Sequence, residues 1–406
     1  MRIAWVTPYL PEPAASGGAI RQQRLAAALA QTAEVHLFAR GELWEWHRAR
    51  SRELGFFAEH WVGRDYDLRS AFRTASALRG ADLPSRVRRG SAVSLWRAIA
   101  RAHARTPFHG VVVSHSWAAL GARALGLPWL LDEHNVESRF FADLSRANGR
   151  GAQRIGDQLA SFERWEREAW HDASALTCVS AEDAAFVAPH RSSQADSLRP
   201  PLVVHNGADL EQLALVPPSA REGGVLFVGS LHHAPNRAAA LRLIEKIMPR
   251  VWQSLPRLPL KIVGGPVSLS LRRAALCASG PVLLLGRVAD VGQHLASDRV
   301  FLNPLVHGAG SSLKTIEALA AGIPLISTEL GARGFSLVPG EHYLRAESDL
   351  EFSNAVVHTV QGNAHGQSAA LLGRAHAVQF GWRALGARFA AHALATFDRK
   401  RTATLS

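Results

Sequence analysis

The residues best suited to binding an anion lie in the stretch 302–324. An apolar run there is followed by a glycine-rich stretch, two serines and a pattern that turns helical. Ser311 or Ser312 can cap that helix, which leaves its first amides directed at the loop around Gly310. A phosphate in the loop would gain hydrogen bonds and the favourable end of the helix dipole. The spacing therefore predicts a phosphate-binding loop.

Two charged residues on the predicted helix could act on a nucleotide sugar. Lys314 lies in its first turn and Glu317 follows in the next, so the two side chains share one helix face. The ammonium of Lys314 suits a diphosphate, and the carboxylate of Glu317 suits sugar hydroxyls. The alternative is an ordinary surface pair, which stabilises a helix by only about 0.2–0.5 kcal/mol.

Two further predicted strands end in residues that could contact a ligand. Gly17 and Gly18 follow the first strand, with Arg21 in the first turn of the next predicted helix, where an anion can approach the backbone. His134 follows a later apolar strand, and neighbouring carboxylates can fix its tautomer. His115, after the preceding strand, is a weaker candidate of the same kind. Ligands bind at such carboxyl ends of parallel strands, and the alternatives are a tight glycine turn and structural histidines.

Apolar, β-branched runs alternate with longer helical patterns, which is typical of parallel sheets covered by helices on both faces. The pattern starts afresh after a turn-rich stretch at 207–223. The sequence therefore predicts an α/β protein of two Rossmann-like, doubly wound domains. The predicted strands are 3–6, 35–38, 111–114, 129–132, 175–179 and 202–205 in the first half, and 225–228, 260–263, 282–285, 300–303 and 324–327 in the second.

Length and composition limit the class of protein. The chain of 406 residues is long enough for two cores, and 47% hydrophobic with 20% charged residues is ordinary for a globular protein. Cys178 and Cys277 lack the spacing of a structural metal site, which predicts two buried thiols in a reducing compartment. Neither a signal peptide nor a long apolar run is visible, so we expect a cytoplasmic protein.

The net charge of +12 attracts phosphate, anionic lipid or nucleic acid. Arginines are concentrated between residues 64 and 105, with Trp61 and Trp96 beside them. One interpretation is a solvated helical surface. Another is a peripheral patch for anionic lipid head groups at the inner face of the membrane. No nucleic-acid-binding motif accompanies the charge, which disfavours nucleic acid as a partner.

The predicted helix also carries a family resemblance. Its sequence Glu317-Ala318-Leu319-Ala320-Ala321-Gly322-Ile323-Pro324 resembles the donor-binding signature of retaining glycosyltransferase family 4, of the glycosyl transferases group 1 type. Other segments agree with the family in order, and the resemblance spans nearly the whole chain, weakest over residues 40–105. These segments are the Gly17-Gly18 loop, His134, the stretch 203–209, the Gly229-Ser230 loop and the helix that starts at 380–382.

The resemblance implies a GT-B fold, in which two Rossmann-like domains face each other across a cleft. The acceptor-side domain would comprise residues 1–207 and a C-terminal helix at 382–400 that crosses back to it, and the donor domain would comprise residues 208–381. The implied activity is the retaining transfer of a sugar from a nucleotide-diphosphate sugar to a glycan or glycolipid acceptor. The nucleotide sugar is a substrate, so no cofactor is expected.

The resemblance also implies roles for individual residues. His134 would lie beside the transferred sugar, while Lys314 and Glu317 would act at the donor, with Glu317 on its ribose. Backbone groups near Arg287 and Val288 would meet the nucleobase. The expected donor-binding residues are Gly17, Gly18, Arg21, Gly229, Ser230, Arg287, Val288, Gly310, Ser311 and Ser312.

Two departures from the family pattern bear on the chemistry. Ala309 stands where the first of two glutamates normally contacts the sugar, which leaves donor-sugar recognition and activity open. The basic residues that usually follow Gly229 are also absent, so we expect Lys314, with Arg287 or Arg237, to supply the positive charge. Preorganised cations and helix amides can stabilise a leaving diphosphate without a metal, so we expect no metal site.

Two other functions are compatible with the sequence. One is a nucleotide-sugar epimerase or a non-catalytic relative on the same fold. The other, from a different class, is a protein that binds anionic membranes or nucleic acid and uses its α/β fold only as a scaffold. Salt-sensitive binding to vesicles or nucleic acid, without a thermal shift from any nucleotide sugar, would favour the second.

Overall fold

The structure is a computed structural model that describes residues 1–11, 16–41, 57, 59–64, 87, 93–146, 159–191, 200–213, 216–217, 220–308 and 310–403. It divides into two compact units. The first unit comprises Met1–His205 with Arg383–Ser406, and the second comprises Asn206–Trp382. The resemblance implies boundaries after residues 207 and 381.

The first unit is built on a parallel sheet. Its strands are β1 (Arg2–Thr7), β2 (Glu34–Gly41), β3 (Glu59–Arg64), β4 (Gly110–Ser114), β5 (Trp129–Glu133), β6 (Ala175–Cys178) and β7 (Leu202–Val203). They lie in the order β3-β2-β1-β4-β5-β6-β7. Every residue of β4 and β5 is buried, which explains why these strands are continuous apolar runs instead of alternating ones.

A second parallel sheet forms the second unit. Its strands are β8 (Val225–Val228), β9 (Leu260–Val263), β10 (Val282–Gly286), β11 (Val300–Asn303), β12 (Leu325–Ser327) and β13 (Leu344–Arg345). Their order is β10-β9-β8-β11-β12-β13. The central strands β8 and β11 are buried at every residue except the half-buried Val228, as expected where helices cover both faces.

Helices connect the strands in both units. Those of the first unit are α1 (Gly17–Ala30), α2 (Val93–Arg105), α3 (Glu137–Arg146), α4 (Leu159–Asp172) and α5 (Ala181–Val187). Those of the second are α6 (Ala234–Arg242), α7 (Met248–Ser254), α8 (Leu269–Leu276), α9 (Val291–Ser297), α10 (Leu313–Ala320), α11 (Glu329–Ala332), α12 (Asp349–Val360) and α13 (Ala364–Ala377). The last helix is α14 (Trp382–Ala403).

Helix α14 belongs to the first unit and completes its core. The ring of Phe389 packs on Trp5 of β1, with ring centroids 5.7 Å apart. Phe397 covers Gly110 so closely that a Cβ on this glycine would clash with the phenyl ring. Both phenylalanines are fully buried, which explains the apolar repeat of four residues in the C-terminal sequence.

The predicted α/β class with two Rossmann-like parallel sheets is confirmed, and each predicted strand overlaps an observed one. Two observed strands were not predicted. β3 has only two consecutive apolar residues, Trp61 and Val62, and lies at the edge of its sheet, so it lacks the apolar run that marked its neighbours. β13 has only two residues, too few for a periodic pattern.

Other sequence predictions have mixed outcomes. Cys178 is buried as predicted, but Cys277, the C-cap residue of α8, is exposed, as is Leu276 before it. Trp96 is buried against the core, whereas the side chain of Trp61 lies outside the described part of the chain. Among the residues that the structure describes, no helix is both long and apolar enough to cross a bilayer.

Candidate functional site

Asp132 and His134 lie at the carboxyl end of β5 in the first unit. Both are buried, and Nε2 of His134 lies 3.0 Å from Oδ2 of Asp132. Thr177 donates a hydrogen bond of 2.7 Å to Oδ1 of the carboxylate. Burial opposes the charge of Asp132, but attraction by Arg21 and His134 holds the pKa of this carboxyl well below its ordinary value. The carboxylate therefore favours a proton on Nε2 of His134.

Arg21 does not offer its charge to a ligand in this structure. Its side chain is 1% exposed, with Nη2 donating to Oδ1 of Asp132 at 2.6 Å. Nη1 donates to the carbonyl oxygens of Val204 at 2.8 Å and His205 at 3.2 Å. The expectation that Arg21 contacts a donor phosphate is thus corrected, because an interior carboxylate and two carbonyls bind the guanidinium. Arg21 instead joins α1 to β5 and to the chain beyond β7.

Gly17 and Gly18 begin α1 beside a cluster of rings. A Cβ on Gly18 would clash with Oη of Tyr9 and lie 3.2 Å from Nδ1 of His134. Oη of Tyr9 lies 3.1 Å from Nε2 of His115, and the imidazoles of His115 and His134 have centroids 4.0 Å apart. His115 has a backbone φ of +69°, which is uncommon for a residue with a side chain and typical of functional sites. The structure thus brings together Gly18, His134 and the weaker candidate His115.

Buried carboxyl groups support this cluster from inside the first unit. Glu166 accepts hydrogen bonds from the backbone N–H of Glu137 at 2.8 Å and of Ser138 at 2.9 Å, and so caps the start of α3. Glu133 accepts from the N–H of Ser116 at 3.0 Å. Burial raises the pKa of Glu166 to about 8, and burial with the nearby Glu166 raises that of Glu133. These groups therefore fix the backbone around the rings.

Lys314 is the central residue of the second unit's site. Its Nζ donates a hydrogen bond of 2.5 Å to Oδ1 of Asn236 and lies 4.8 Å from the centroid of the Phe227 ring. Nδ2 of Asn236 donates to the carbonyl oxygen of Ser230 at 3.0 Å. A Cβ on Gly229 would come within 3.1 Å of the same Nζ. The structure thus brings Gly229, Ser230 and Lys314 together through Asn236, which sequence reasoning did not select.

The charge of Lys314 is sensitive to its surroundings. Burial lowers its pKa to about 7, and the negative charge of Glu317 partly opposes this shift. Glu317 is half-buried on the same helix. Arg237 of α6, an alternative source of positive charge, donates from Nη1 to the carbonyl oxygen of Leu231 at 3.3 Å, in the loop before this helix. An arriving diphosphate would favour the charged form of Lys314, so this lysine can respond to a ligand.

The glycine-rich loop precedes α10 as predicted. Gly310 is buried with a φ of +66°, which a residue with a side chain rarely adopts. Oγ of Ser311 accepts a hydrogen bond of 3.0 Å from Nδ2 of Asn206. Ser312 is the N-cap residue of α10, but its side chain makes no capping hydrogen bond. The predicted serine cap is therefore correct in position and wrong in its contact, because Oγ of Ser312 accepts instead from Asn303, at 3.4 Å.

Asn303 joins the elements around this loop, although the sequence analysis did not select it. It ends β11, is fully buried, and donates from Nδ2 to Oγ1 of Thr315 and to the carbonyl oxygen of Gly331, both at 3.0 Å. Oγ1 of Thr315 donates to the same carbonyl at 2.7 Å. The available signal was an amide side chain at the carboxyl end of an apolar strand. These bonds fix α10 to the sheet.

The loops after β8, β9 and β10 also converge. Gly264 has a φ of +135°, and a Cβ there would clash with the carbonyl oxygen of Gly229. A Cβ on Gly265 would lie 3.4 Å from Cγ of Arg287, whose side chain is exposed. Val288 follows, half-buried. The predicted base-binding residues are therefore connected to the Gly229 loop through two glycines.

Some predicted features lie outside the described residues. They include residues 12–15 of the first glycine turn and Ala309, the position of the missing glutamate. Of the clustered arginines, Arg97, Arg101 and Arg105 lie on the exposed side of α2. Those outside the described part are Arg69, Arg73, Arg79, Arg86, Arg88 and Arg89, and the side chain of Arg64 is likewise not described.

Comparison with known protein families matches the second unit. Residues 222–361 match the family described as glycosyl transferases group 1. A phosphatidyl-myo-inositol mannosyltransferase of Mycobacterium tuberculosis is 31% identical over 147 residues, which are 34% of this chain and 37% of that protein. An uncharacterised 44.6 kDa protein in the cps region of Klebsiella pneumoniae is 27% identical over 140 residues, 33% of this chain and 36% of that protein. The chain thus matches little more than a third of these relatives' length.

Solved structures resemble the chain over nearly its whole length. HepE of Anabaena, solved in complex with UDP-glucose, has a TM-score of 0.68 at 13% identity and covers 97% of this chain and 100% of its own. Sucrose-phosphate synthase of Thermosynechococcus elongatus has a TM-score of 0.71 at 17% identity over 100% of both chains. At such identities the likeness shows the fold, and it confirms the predicted GT-B type.

Proposed function

We propose, from the premise that the chain belongs to the glycosyl transferases group 1 family through residues 222–361, that it is a retaining glycosyltransferase. Its donor would be a nucleotide-diphosphate sugar, and its acceptor a glycan or a lipid-linked sugar. One observation carries the proposal: Nζ of Lys314, at the start of α10, reaches Asn236 beside the Gly229 loop and next to a glycine-rich turn. This combination of a cation and a helix start suits a diphosphate.

The chemistry follows from where charge develops. When the bond between the anomeric carbon and the diphosphate oxygen breaks, the leaving nucleoside diphosphate gains negative charge. A lysine and helix-terminal amides that are already in place stabilise this charge without reorganising during the reaction. The acceptor hydroxyl attacks the anomeric carbon from the same face, and its proton passes to the leaving phosphate oxygen. Retention therefore needs no enzyme nucleophile.

The position of Lys314 accounts for a departure from the family pattern. The loop after Gly229 lacks the basic residues that the resemblance leads one to expect there. Lys314 reaches this loop from another helix and bonds to Asn236, in the first turn of α6 that follows the loop. A cation from α10 would thus take the place of the cations missing from the loop, and Arg287, exposed near Gly265, is available as a second one.

The relatives suggest which donors and acceptors to test first. HepE of Anabaena was solved with UDP-glucose, which supports a uridine donor as the first probe. The mycobacterial relative is a phosphatidyl-myo-inositol mannosyltransferase, which supports mannose donors and lipid-linked acceptors as a second group. We propose that the protein acts in the cytoplasm, with its acceptor at the inner face of the membrane.

Contact with an anionic membrane is a further part of the proposal. Arg97, Arg101 and Arg105 are spaced at intervals of four along α2, so one exposed helix face carries three positive charges. Such a face suits anionic head groups. Cosedimentation with vesicles that contain phosphatidylglycerol should fall when the three arginines are replaced by glutamine. Equal binding to neutral phosphatidylcholine vesicles would contradict the electrostatic basis.

The activity is tested by a thermal-shift panel of nucleoside diphosphates and their sugars, followed by donor hydrolysis with the best binder. We expect a stabilising shift with one base and slow hydrolysis that Lys314→Ala lowers about 100-fold in kcat. Lys246→Ala, which removes an exposed lysine of the same unit, should leave both the thermal shift and the kcat of hydrolysis unchanged. Binding without transfer to any acceptor would favour a non-catalytic relative, and interconversion of donor sugars would favour an epimerase.

Independence from metal is tested in the same assay. The sequence has an Asp-x-Asp triplet at Asp65–Asp67, outside the described residues, and such triplets can bind a divalent cation. We expect equal turnover with EDTA and with added Mg²⁺ or Mn²⁺. A rate that EDTA abolishes and Mn²⁺ restores would contradict this part of the proposal.

A further inference from the structure

One arginine side chain binds backbone carbonyl oxygens of the glycine-rich loop. Nε and Nη2 of Arg333 donate to the carbonyl oxygen of Gly310 at 3.1 and 2.9 Å. Nη2 also donates to the carbonyl oxygen of Gly308 at 3.4 Å. Arg333 directly follows α11 and is half-buried. A guanidinium, with several donors in one plane, suits two carbonyls of the same turn better than an ammonium does.

These bonds orient the amides of the loop. In a trans peptide the C=O and the next N–H point to opposite sides of the C–N bond. The carbonyl of Gly310 points at Arg333, so the N–H of Ser311 points away from Arg333. The left-handed φ of Gly310, +66°, makes this turn possible, but glycine's freedom also allows other conformations. An external group is therefore needed to select one orientation.

The turn that carries Arg333 is itself firmly attached. Thr328 donates to the carbonyl oxygen of Leu305 at 2.6 Å and accepts from the N–H of Gly331 at 3.0 Å. Gly334 has a φ of +93°, and a Cβ there would come within 2.5 Å of Cβ of Ser311. The guanidinium thus extends from a fixed backbone that touches the loop directly.

A second side chain binds the loop at the next residue. Nδ2 of Asn206 donates to the carbonyl oxygen of Ser311 at 3.2 Å and to its Oγ at 3.0 Å. Arg333 and Asn206 therefore bind two consecutive carbonyls, those of Gly310 and Ser311. Such consecutive bonds determine the direction of both peptide planes just before α10 and its Lys314.

We infer that Arg333 is a positioning residue for the diphosphate of the donor. It binds the carbonyl oxygens of Gly308 and Gly310. These bonds direct the N–H of Ser311 and the start of α10 toward the outer phosphate of the donor, the one farther from the nucleoside. The inference rests on the proposed function and adds to it a residue that neither the family signature nor the glycine pattern contains. Arg333 itself touches backbone and is not a catalytic residue.

The test compares Arg333→Met and Arg333→Lys with Arg273→Met, which removes an exposed arginine of α8 in the same unit. Dissociation constants for UDP and UMP are measured by calorimetry, and amide hydrogen exchange of residues 308–314 is measured without ligand. We expect Arg333→Met to weaken UDP about tenfold, to leave UMP within about twofold, and to speed exchange in this loop. Arg273→Met should change none of the three quantities.

Arg333→Lys separates positioning from charge. It keeps the positive charge but cannot bind two carbonyls with one planar group, so we expect the same loss for UDP and the same faster exchange. Full recovery of UDP affinity with lysine would overturn the inference in favour of a remote charge effect. Lysine is also the milder substitution, so it decides the question if Arg333→Met does not fold.

The inference and the proposed function fail in different ways. Unchanged UDP affinity and unchanged exchange in Arg333→Met, in a protein that binds UDP, would overturn the inference alone. A wild-type protein that binds no nucleoside diphosphate of any base would overturn the proposed function and the inference with it. An equal loss for UMP and UDP would also overturn the inference, because the loop would then not act on the outer phosphate.

Discussion

The two units hold their candidate residues in different ways. In the first, charged side chains are themselves interior: Arg21 is 1% exposed, Asp132 is 0% exposed, and both support the ring of His134. In the second, the candidate charged residues are half-buried or exposed, and the side chains of Arg333 and Asn206 hold the loop through hydrogen bonds to Gly310 and Ser311. A change in the first unit should therefore affect stability and function together, whereas in the second the two effects should separate.

The largest expected effect tests the first half of this comparison. Asp132→Asn removes the charge that faces Arg21 and His134, and leaves a guanidinium buried without its counter-ion. Breaking a buried pair in this way costs about 3–5 kcal/mol. We therefore expect the free energy of unfolding, measured with urea, to fall by roughly 3 kcal/mol.

A matched substitution in the same unit supplies the control. Asp172 pairs with Arg123, whose side chain is 63% exposed, so Asp172→Asn should have a much smaller effect. If Asp132→Asn is no more destabilising than Asp172→Asn, the buried ion pair does not support the site, and the contrast between the two units is lost.

The next effect concerns Lys314 and the pH. The pKa of Lys314 is lowered to about 7 in the folded protein. Between pH 7 and the ordinary pKa of a lysine, the unfolded chain therefore binds a proton that the folded protein has lost. The free energy of unfolding of the wild-type protein, relative to that of Lys314→Met, should therefore rise with pH over this range. Affinity should change in the opposite direction, because a neutral amine no longer attracts a diphosphate. We expect binding of UDP to weaken about tenfold from pH 7 to 8.5 in wild type.

The same titration in Lys314→Met shows whether this lysine is responsible. The terminal phosphate of UDP titrates mostly below that range, with a pKa of about 6, so the variant should show a nearly flat profile. A slope as steep as that of wild type would assign the pH dependence to another group and would leave Lys314 without a measurable role at the diphosphate.

The comparison also shows which features sequence reasoning can reach. Apolar runs and their alternation with helical patterns predicted the two parallel sheets. A strand that is buried on both faces, such as β4, consists of consecutive apolar residues, and such a run is visible in the sequence. The glycine-rich turn and α10 were predicted for a similar reason, since glycine and serine at a strand end indicate a turn and a helix start. These signals are local in the chain.

Contacts between distant residues were not predictable in this way. Lys314 and Asn236 are 78 residues apart, and Arg333 lies 23 residues beyond the carbonyl of Gly310 that it binds. Arg21 was assigned to a phosphate because it lies in the first turn of a predicted helix near glycines, but its partner Asp132 is 111 residues away. Which face of a helix turns inward depends on such partners, and a local pattern does not reveal them.

The smallest expected effect tests how tightly the first unit packs around its glycine turn. A Cβ on Gly18 would clash with Oη of Tyr9, which is the far end of a flexible side chain. We expect Gly18→Ala to destabilise by only about 1 kcal/mol, because the tyrosine can shift while alanine gains helix propensity. In a Tyr9→Phe background the hydroxyl is absent, so the same substitution should become neutral or slightly stabilising.

Thermal unfolding of the two single variants and the double variant measures this coupling, which we expect to be about 1 kcal/mol. Tyr9→Phe alone supplies the control, since it removes the contact of Oη with Nε2 of His115 and has its own cost. A coupling near zero would mean that Gly18 and Tyr9 do not meet in solution. The inferred close approach of α1 to the rings of His115 and His134 would then be wrong, and packing would not preorganise the first unit's site.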